Sequence, residues 1–218
     1  MPLRVICCCA YPTAKRIWGQ DDYNAKKLVD ALKARPVNGY GELPLPTGAS
    51  ARFNQESTDV AMTWVARRAL DAIRLAGVGG PFAVVPIPHA SCDVHSDAPP
   101  RMIAVAERMA MIRPGEVAVE DILRWDRPMK SASAAGGSRE PRDLYAFLRV
   151  IDDVPELPMV LLDDVLTSGG HLQAAAAVLV EAGGTITVAI CGVRALAETV
   201  DGEQFAFSYA ILDDYLPR

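Results

Sequence analysis

The chain has 218 residues and a formal net charge of −5, and half of its residues are apolar. A chain of this length forms one domain, or one domain with a cap, and can bury a substantial core. The acidic balance argues against a dedicated nucleic-acid-binding protein, and no apolar run reaches the roughly 18 residues that suggest a membrane span. The N-terminus has no convincing signal-peptide cleavage site, so we expect a cytoplasmic protein.

The N-terminal part of the chain is predicted to contain one strand and two helices. Residues 3–10 are an apolar run that predicts a strand. Apolar residues then recur at helical spacing over 23–33 and again over 57–76, which predicts the two helices. Between them, the Pro- and Gly-rich stretch 36–51 predicts an irregular excursion with at most one short strand.

Strands and helices alternate in the rest of the chain. The predicted strands are residues 82–88, 117–125, 144–151, 159–162, 185–193 and 205–212, and the predicted helices are residues 99–112 and 172–182. This alternation predicts an α/β fold with a doubly wound, mainly parallel sheet. Ligands bind such sheets beyond the carboxyl ends of the strands, which would bring loops 88–98, 126–143 and 163–171 around one crevice.

The cysteines give little sign of metal binding. The run of three at residues 7–9 lies in the first predicted strand and is expected to be buried in a reducing compartment. His89, Cys92 and His95 have a His-x-x-Cys-x-x-His spacing. No fourth ligand is evident, however, and the three residues fall in a loop without helical spacing, which argues against a metal site.

Residues 159–171 carry the most specific pattern in the chain, Met-Val-Leu-Leu-Asp-Asp-Val-Leu-Thr-Ser-Gly-Gly-His. It predicts a buried strand, a tight polar loop and a helix N-terminus, an arrangement that favours phosphate. The carboxylates of Asp163 and Asp164 suit a ligand that also has vicinal hydroxyls or carries a divalent cation. A sugar phosphate with magnesium meets both conditions. The alternative is that the two acids merely cap or solvate the turn.

This pattern resembles the signature of type I phosphoribosyltransferases, which bind 5-phosphoribosyl-1-pyrophosphate (PRPP). The resemblance implies that Asp163 and Asp164 are catalytic and hold the ribose hydroxyls, directly or through Mg²⁺. It also implies that the substrate is bound by the residues that follow, Val165, Leu166, Thr167, Ser168, Gly169, Gly170 and His171. The family usually has Thr or Ser where this chain has His171.

Two other loops extend the resemblance. Pro88, His89 and Ala90 look like the counterpart of a short family loop whose backbone amides meet pyrophosphate. The second loop, residues 126–143, and its flanks resemble the catalytic loop of ComF-type phosphoribosyltransferases, although this chain lacks their zinc ribbon. The basic residues of this region are Arg124, Arg127, Lys130, Arg139, Arg142 and Arg149. The resemblance implies catalytic roles for Lys130 and Arg139 and pyrophosphate contact for Arg142; the alternative is a solvated linker.

The resemblance implies a phosphoribosyltransferase that transfers the phosphoribosyl group of magnesium-bound PRPP to a small nitrogenous acceptor and releases pyrophosphate. Residues 1–81 correspond to the family's variable hood and residues 82–218 to its core. Relatives commonly pair, so a homodimer is expected, with neither nucleic acid nor membrane as a partner. Two alternatives stay open: a non-catalytic PRPP or nucleotide sensor, and an interaction protein whose basic loop docks an acidic partner.

Overall fold

A computed structural model of the chain describes residues 2–14, 17–130, 138, 140–198 and 203–213. The strands in this part of the chain are β1 (Leu3–Pro12), β2 (Gly41–Pro44), β3 (Ser50–Phe53), β4 (Phe82–Pro86), β5 (Val117–Val119), β6 (Leu123–Trp125), β7 (Leu148–Val150), β8 (Met159–Leu166), β9 (Ile186–Leu196) and β10 (Ser208–Leu212). The helices are α1 (Gln20–Leu32), α2 (Thr58–Leu75), α3 (Ile103–Ile112), α4 (Pro141–Tyr145) and α5 (Gly170–Glu181).

The central sheet has six strands in the order β10-β1-β9-β8-β4-β5. All neighbouring pairs are parallel except β1 and β10, which are antiparallel. One face is covered by apolar side chains of α1, α2 and α3, and the other by those of α4 and α5. The fully buried runs of β4 and β8 fit this arrangement, because central parallel strands are covered on both faces. The predicted doubly wound, mainly parallel α/β fold is confirmed.

The N-terminal part of the chain belongs in part to this sheet, since β1 lies between β10 and β9. The expectation of at most one short strand over 36–51 was wrong, because β2 and β3 form an antiparallel hairpin there. Gly41 makes the pairing possible: a Cβ at this position would lie 2.5 Å from the ring of Phe53. The division of the chain into a hood and a core at residue 81 stays a prediction.

The segments that surround the second loop also differ from the prediction. The single strand expected over 117–125 is two strands, and β6 leaves the central sheet to pair with β7. Asp121 lies between the two strands and accepts hydrogen bonds from the Arg124 guanidinium, which stabilises the turn between β5 and β6. The strand expected over 144–151 is shorter, because the helix α4 begins at Pro141 and occupies its first residues.

Candidate functional site

A cavity of about 390 Å³ lies at the carboxyl ends of β1, β4 and β8. The chain leaves β4 towards β5 through α3 on one face of the sheet, and leaves β8 towards β9 through α5 on the other. Ligands of open α/β sheets bind where the connections diverge in this way. The cavity therefore occupies the position that the fold predicts, and loops 88–98 and 163–171 both contribute to it.

Strand β8 carries the two adjacent acids into the cavity. The strand continues to Leu166, so the predicted polar loop over 163–171 is shorter than expected and begins only at Thr167. The extra strand residues are held by β9, where Asp163 is opposite Cys191 and Val165 is opposite Val193. Asp163, Asp164 and Val165 line the cavity from this strand.

The short turn after β8 depends on Gly169. Its φ of +83° lies in the left-handed region, and a Cβ there would lie 2.5 Å from a methyl carbon of Leu212 in β10. Thr167 and His171, on either side of this turn, line the cavity, whereas Leu166, Ser168, Gly169 and Gly170 do not. The His171 ring stands edge-on to the buried Trp125 ring, with the two centroids 5.8 Å apart.

The carboxyl group of Asp163 is partly buried next to a second carboxylate. Its Oδ1 accepts a hydrogen bond from the backbone N–H of Asp164 at 2.8 Å. Burial, and next the negative charge of Asp164, raise the pKa of Asp163 to about 7. A carboxyl group with this pKa can exchange a proton near neutral pH, so its protonation state responds to whatever enters the cavity.

Asp164 faces two cations that come from distant parts of the chain. Lys33, which follows α1, has its Nζ 3.1 Å from Oδ1 and 3.2 Å from Oδ2 of this carboxylate. Arg101, just before α3, has Nη1 3.6 Å from Oδ2. The Asp164 side chain is only 11 % exposed, so these charges are poorly screened by water. The two cations offset the negative charge of Asp164 inside the cavity.

The loop after β4 forms the opposite wall of the cavity. Pro88, His89 and Ala90 all line it, as the resemblance implies for a ligand-binding loop. The loop is anchored from behind, because Trp125 Nε1 donates a hydrogen bond to the Pro88 carbonyl at 3.2 Å. Burial, followed by the nearby positive charge of Arg101, lowers the pKa of His89. His89 is therefore favoured in its neutral form.

The second loop is not brought to the cavity in the described part of the chain. Neither Lys130 nor Arg142 lines it, and Arg139 lies outside the described residues. Two of the other basic residues are paired locally: Arg124 with Asp121, and Arg149 with Asp126 at 2.8 Å. The base of the loop touches the loop after β4 through the Met129 N–H, which donates to the Ala90 carbonyl at 2.8 Å.

The residues that sequence reasoning missed come mainly from the N-terminal part. Lys26, Lys33 and Arg35 line the cavity together with Tyr11 at the end of β1, and Arg101 joins them from the start of the α3 region. One signal was available in the sequence. Lys26, Val29 and Lys33 are spaced i, i+3 and i+7, so they share one face of a helix. The lining thus carries four basic side chains and two carboxylates, and Lys26 is paired with Asp30 at 2.6 Å. The remaining balance of charge favours an anion.

The cavity contains two acids of the residue type that ligates magnesium. No group of three or more His, Cys, Asp or Glu side chains is arranged to hold a metal within the described ranges. In the His89–Cys92–His95 segment, the buried Cys92 thiol donates to the Ala98 carbonyl at 3.1 Å. Asp163 and Asp164 supply oxygens of the kind that Mg²⁺ prefers, but Asp164 already faces two cations. The acid pair thus fits a metal bound mainly by its ligand.

No described helix is both long enough and apolar enough to cross a membrane. No family model and no curated protein matches the chain. Among solved structures, it is similar to UMP synthase from Leishmania donovani at 17 % identity and a TM-score of 0.41, over 78 % of this chain and 31 % of that one. The chain thus spans about a third of the length of that protein.

Two other solved structures cover comparable parts of this chain. One is orotate phosphoribosyltransferase from Aeropyrum pernix, at 18 % identity and a TM-score of 0.38, over 77 % of this chain and 81 % of that one. The other is adenine phosphoribosyltransferase from Thermoanaerobacter pseudethanolicus, at 13 % identity and a TM-score of 0.40, over 77 % and 98 %. The doubly wound fold of this chain follows from its strand order and strand pairing, independently of these similarities.

Proposed function

We propose that this protein is a phosphoribosyltransferase that uses magnesium-bound PRPP and releases pyrophosphate. The observation that carries the proposal is the cavity at the carboxyl ends of β4 and β8. In it, Asp163 and Asp164 lie beside the turn that begins α5 and face basic side chains from α1 and α3. A ligand with both hydroxyl and phosphate groups satisfies acids and bases together, whereas a simple anion would be repelled by the two acids.

Each part of the cavity has a proposed role toward PRPP. Asp163 and Asp164 accept hydrogen bonds from the ribose hydroxyls. The 5-phosphate is bound by the turn and the helix start, from Val165 and Leu166 to His171, where the N-terminus of α5 and its helix dipole favour an anion. The backbone of Pro88, His89 and Ala90 meets the pyrophosphate. Lys130, Arg139 and Arg142 complete the proposed cover over the pyrophosphate.

The reaction we propose is a nucleophilic substitution at C1 of the ribose. A nitrogen of the acceptor forms a bond to C1 while the bond from C1 to the pyrophosphate oxygen breaks, and the electron pair leaves on the pyrophosphate. The chain's residues act by positioning and by electrostatic stabilisation, because no covalent protein intermediate is needed. Asp164 also places negative charge near a ribose ring that becomes positive in the transition state. Magnesium, when bound with PRPP, would offset charge on the leaving pyrophosphate.

The acceptor side of the cavity is assigned to the N-terminal part of the chain. Tyr11, Lys26 and Lys33 line the cavity from β1 and from α1 and its end, which supports the proposal that residues 1–81 cover the acceptor as a hood. The further proposals from the resemblance are a ComF-like catalytic loop, a cytoplasmic location and a homodimer. Neither nucleic acid nor a membrane is a proposed partner.

A non-catalytic PRPP or nucleotide sensor is the second candidate. The pairing of Asp164 with both Lys33 and Arg101 supports this candidate as much as the enzyme, because such an ion cluster would serve binding equally well without turnover. An interaction protein with a basic loop is less well supported, since Arg124 and Arg149 of that region are already paired with neighbouring acids. Turnover therefore separates the two main candidates.

The test compares two pairs of consecutive aspartates, one inside the cavity and one outside it. Binding of PRPP with and without Mg²⁺ is measured by calorimetry, and pyrophosphate release is measured with a panel of nitrogenous acceptors. The double variant Asp163→Asn, Asp164→Asn is expected to lose at least tenfold in affinity. The control is Asp152→Asn, Asp153→Asn, an exposed pair outside the cavity with the same backbone-to-carboxylate hydrogen bond at 2.8 Å. Equal PRPP affinity in both double variants would remove the proposed ribose site.

A further inference from the structure

A second cavity, of about 560 Å³, lies on the outer side of α2. It is bounded by α2, the turn after β2, the end of α3 and the segment that precedes β10. It shares no lining residue with the candidate site. Its volume is in the range of small-molecule sites. Nothing in the proposed reaction uses it, so it requires its own explanation.

One wall of this second cavity is aromatic and fixed in place. The rings of Trp64 and Phe205 meet edge to face, with centroids 5.8 Å apart. Trp64 is also held by its Nε1, which donates a hydrogen bond to the Pro44 carbonyl at 2.8 Å. The polar edge of Trp64 is thus satisfied inside the protein. The residue is 5 % exposed and the Arg68 guanidinium lies 5.5 Å from its ring centroid, so a small part of its apolar surface reaches the cavity beside Phe205. A flat ring can stack on such a wall without first having to order it.

Three arginines also line this cavity, and Arg68 is the most buried of them. Arg68 donates from Nη2 to the carbonyls of Phe205 at 2.8 Å and Cys8 at 3.3 Å, and its guanidinium lies 3.7 Å from the Phe207 ring centroid. These contacts fix the side chain but do not neutralise it. In the part of the chain that the structure describes, no carboxylate forms an ion pair with Arg68. A half-buried charge without a counter-ion favours the binding of an anion.

Two more arginines add positive charge to the lining of this cavity. Arg67 and Arg113 are exposed at the rim, and Arg113 forms a long ion pair of 3.8 Å with Glu116. The one acid in the lining, Asp71, is half-exposed and pairs with Arg74 at 3.6 Å. The lining therefore carries three positive charges and one negative charge. In a protein whose net charge is −5, this concentration of positive charge is local to the cavity.

We propose that this second cavity binds a small aromatic anion, a flat ring that carries a sulfonate, carboxylate or phosphate group. The ring packs against the aromatic wall that Trp64 and Phe205 form, and the acidic group faces Arg67 and Arg113 near the positive charge of Arg68. An inorganic anion would leave the aromatic wall unused, and a neutral ring would leave the arginines without a counter-ion. The proposal does not depend on the proposed function, because the two cavities are separate.

The experiment uses two dyes with the same ring system and different charge. The anionic probe is 1-anilinonaphthalene-8-sulfonate, and the neutral probe is N-phenyl-1-naphthylamine. Fluorescence titrations of the full chain compare the natural protein with the double variant Arg67→Gln, Arg113→Gln. The control is Arg4→Gln, which removes an exposed arginine that hydrogen-bonds the Ala76 carbonyl outside the cavity. Thermal melts establish that each variant is folded.

The expected result is a selective loss of binding of the anionic dye. The double variant should bind the sulfonate dye at least tenfold more weakly, as expected for the loss of charge-assisted hydrogen bonds, and the neutral dye within about twofold. The Arg4→Gln variant should match the natural protein with both dyes. The proposal is overturned if the sulfonate dye does not bind, if the double variant binds it unchanged, or if both dyes weaken equally.

Discussion

Lys33 Nζ lies 3.1 Å from a carboxylate oxygen of Asp164, a residue 131 positions later in the chain. This ion pair joins the C-terminal end of α1 to the central strand β8 inside the candidate site. The two side chains are 23 % and 11 % exposed. The pair thus connects the N-terminal part of the chain to the acids of the most specific sequence motif.

A double-mutant cycle on this pair should reveal substantial coupling. Lys33→Met and Asp164→Asn, singly and together, are expected to give a coupling free energy of unfolding of about 1–2 kcal/mol, since the pair is mostly shielded from water. The control is Lys26 and Asp30, a helical pair at 2.6 Å with side chains 36 % and 17 % exposed, for which about 0.5 kcal/mol is expected. Urea unfolding measures both cycles. Equal coupling in the two cycles would contradict a special role for Lys33.

The raised pKa of Asp163 predicts a pH-dependent stability. The folded state keeps this carboxyl protonated up to about pH 7, whereas the unfolded chain ionises it near the ordinary aspartate pKa of 3.8. The folded state thus binds more protons in that window, so its stability falls as pH rises from about 4 to 7. Asp163→Asn should therefore gain about 4 kcal/mol of stability relative to the natural protein on going from pH 4 to pH 8.

Denaturant unfolding across that pH range checks this prediction. His89 contributes with the opposite sign, because its pKa is lowered and its protonation on acidification opposes folding. His89 contributes equally to the natural protein and to the variant, so its contribution cancels when their free energies of unfolding are subtracted at each pH. If the difference in free energy of unfolding between the two proteins stays constant from pH 4 to pH 8, Asp163 ionises as an ordinary carboxyl.

Gly169 is predicted to tolerate no side chain. Gly169→Ala places a Cβ at a φ of +83° and 2.5 Å from Leu212, so we expect a loss of about 2 kcal/mol and weaker PRPP binding. Gly183→Ala is the matched control, because its φ is +92° but nothing lies within 4 Å of the added carbon. It should cost only the backbone strain, about 1 kcal/mol. Thermal unfolding compares the two, and equal losses would contradict a steric role for Leu212.

Arg101 is predicted to bind the anionic substrate. Arg101→Gln should lower the affinity for PRPP about tenfold, because this guanidinium lines the cavity and faces Asp164. The control is Arg108→Gln in α3, whose guanidinium donates to the Ala104 carbonyl and does not line the cavity. Calorimetric titration at two salt concentrations measures the effect. An equal affinity in both variants would place the polyanion elsewhere.

Local patterns in the sequence determined the class of fold and the position of the acids. The run from Met159 to Leu162 is apolar without interruption, which suits only a strand covered on both faces, and the structure has β8 there. The glycines and the apolar run after residue 168 correctly indicated the start of α5. These features depend on neighbours in the sequence, so they could be predicted without the fold.

The tertiary structure alone decided which charges meet at the site. Lys33 and Arg101 carry no local signal that connects them with Asp164; they approach it because α1 and α3 pack on the face of the sheet to which Asp164 points. The same holds for the split of 117–125 into β5 and β6, which depends on the partner strand β7. Periodicity in a sequence determines which side of an element is buried. Which distant element covers that side depends on the free energy of the whole packed chain.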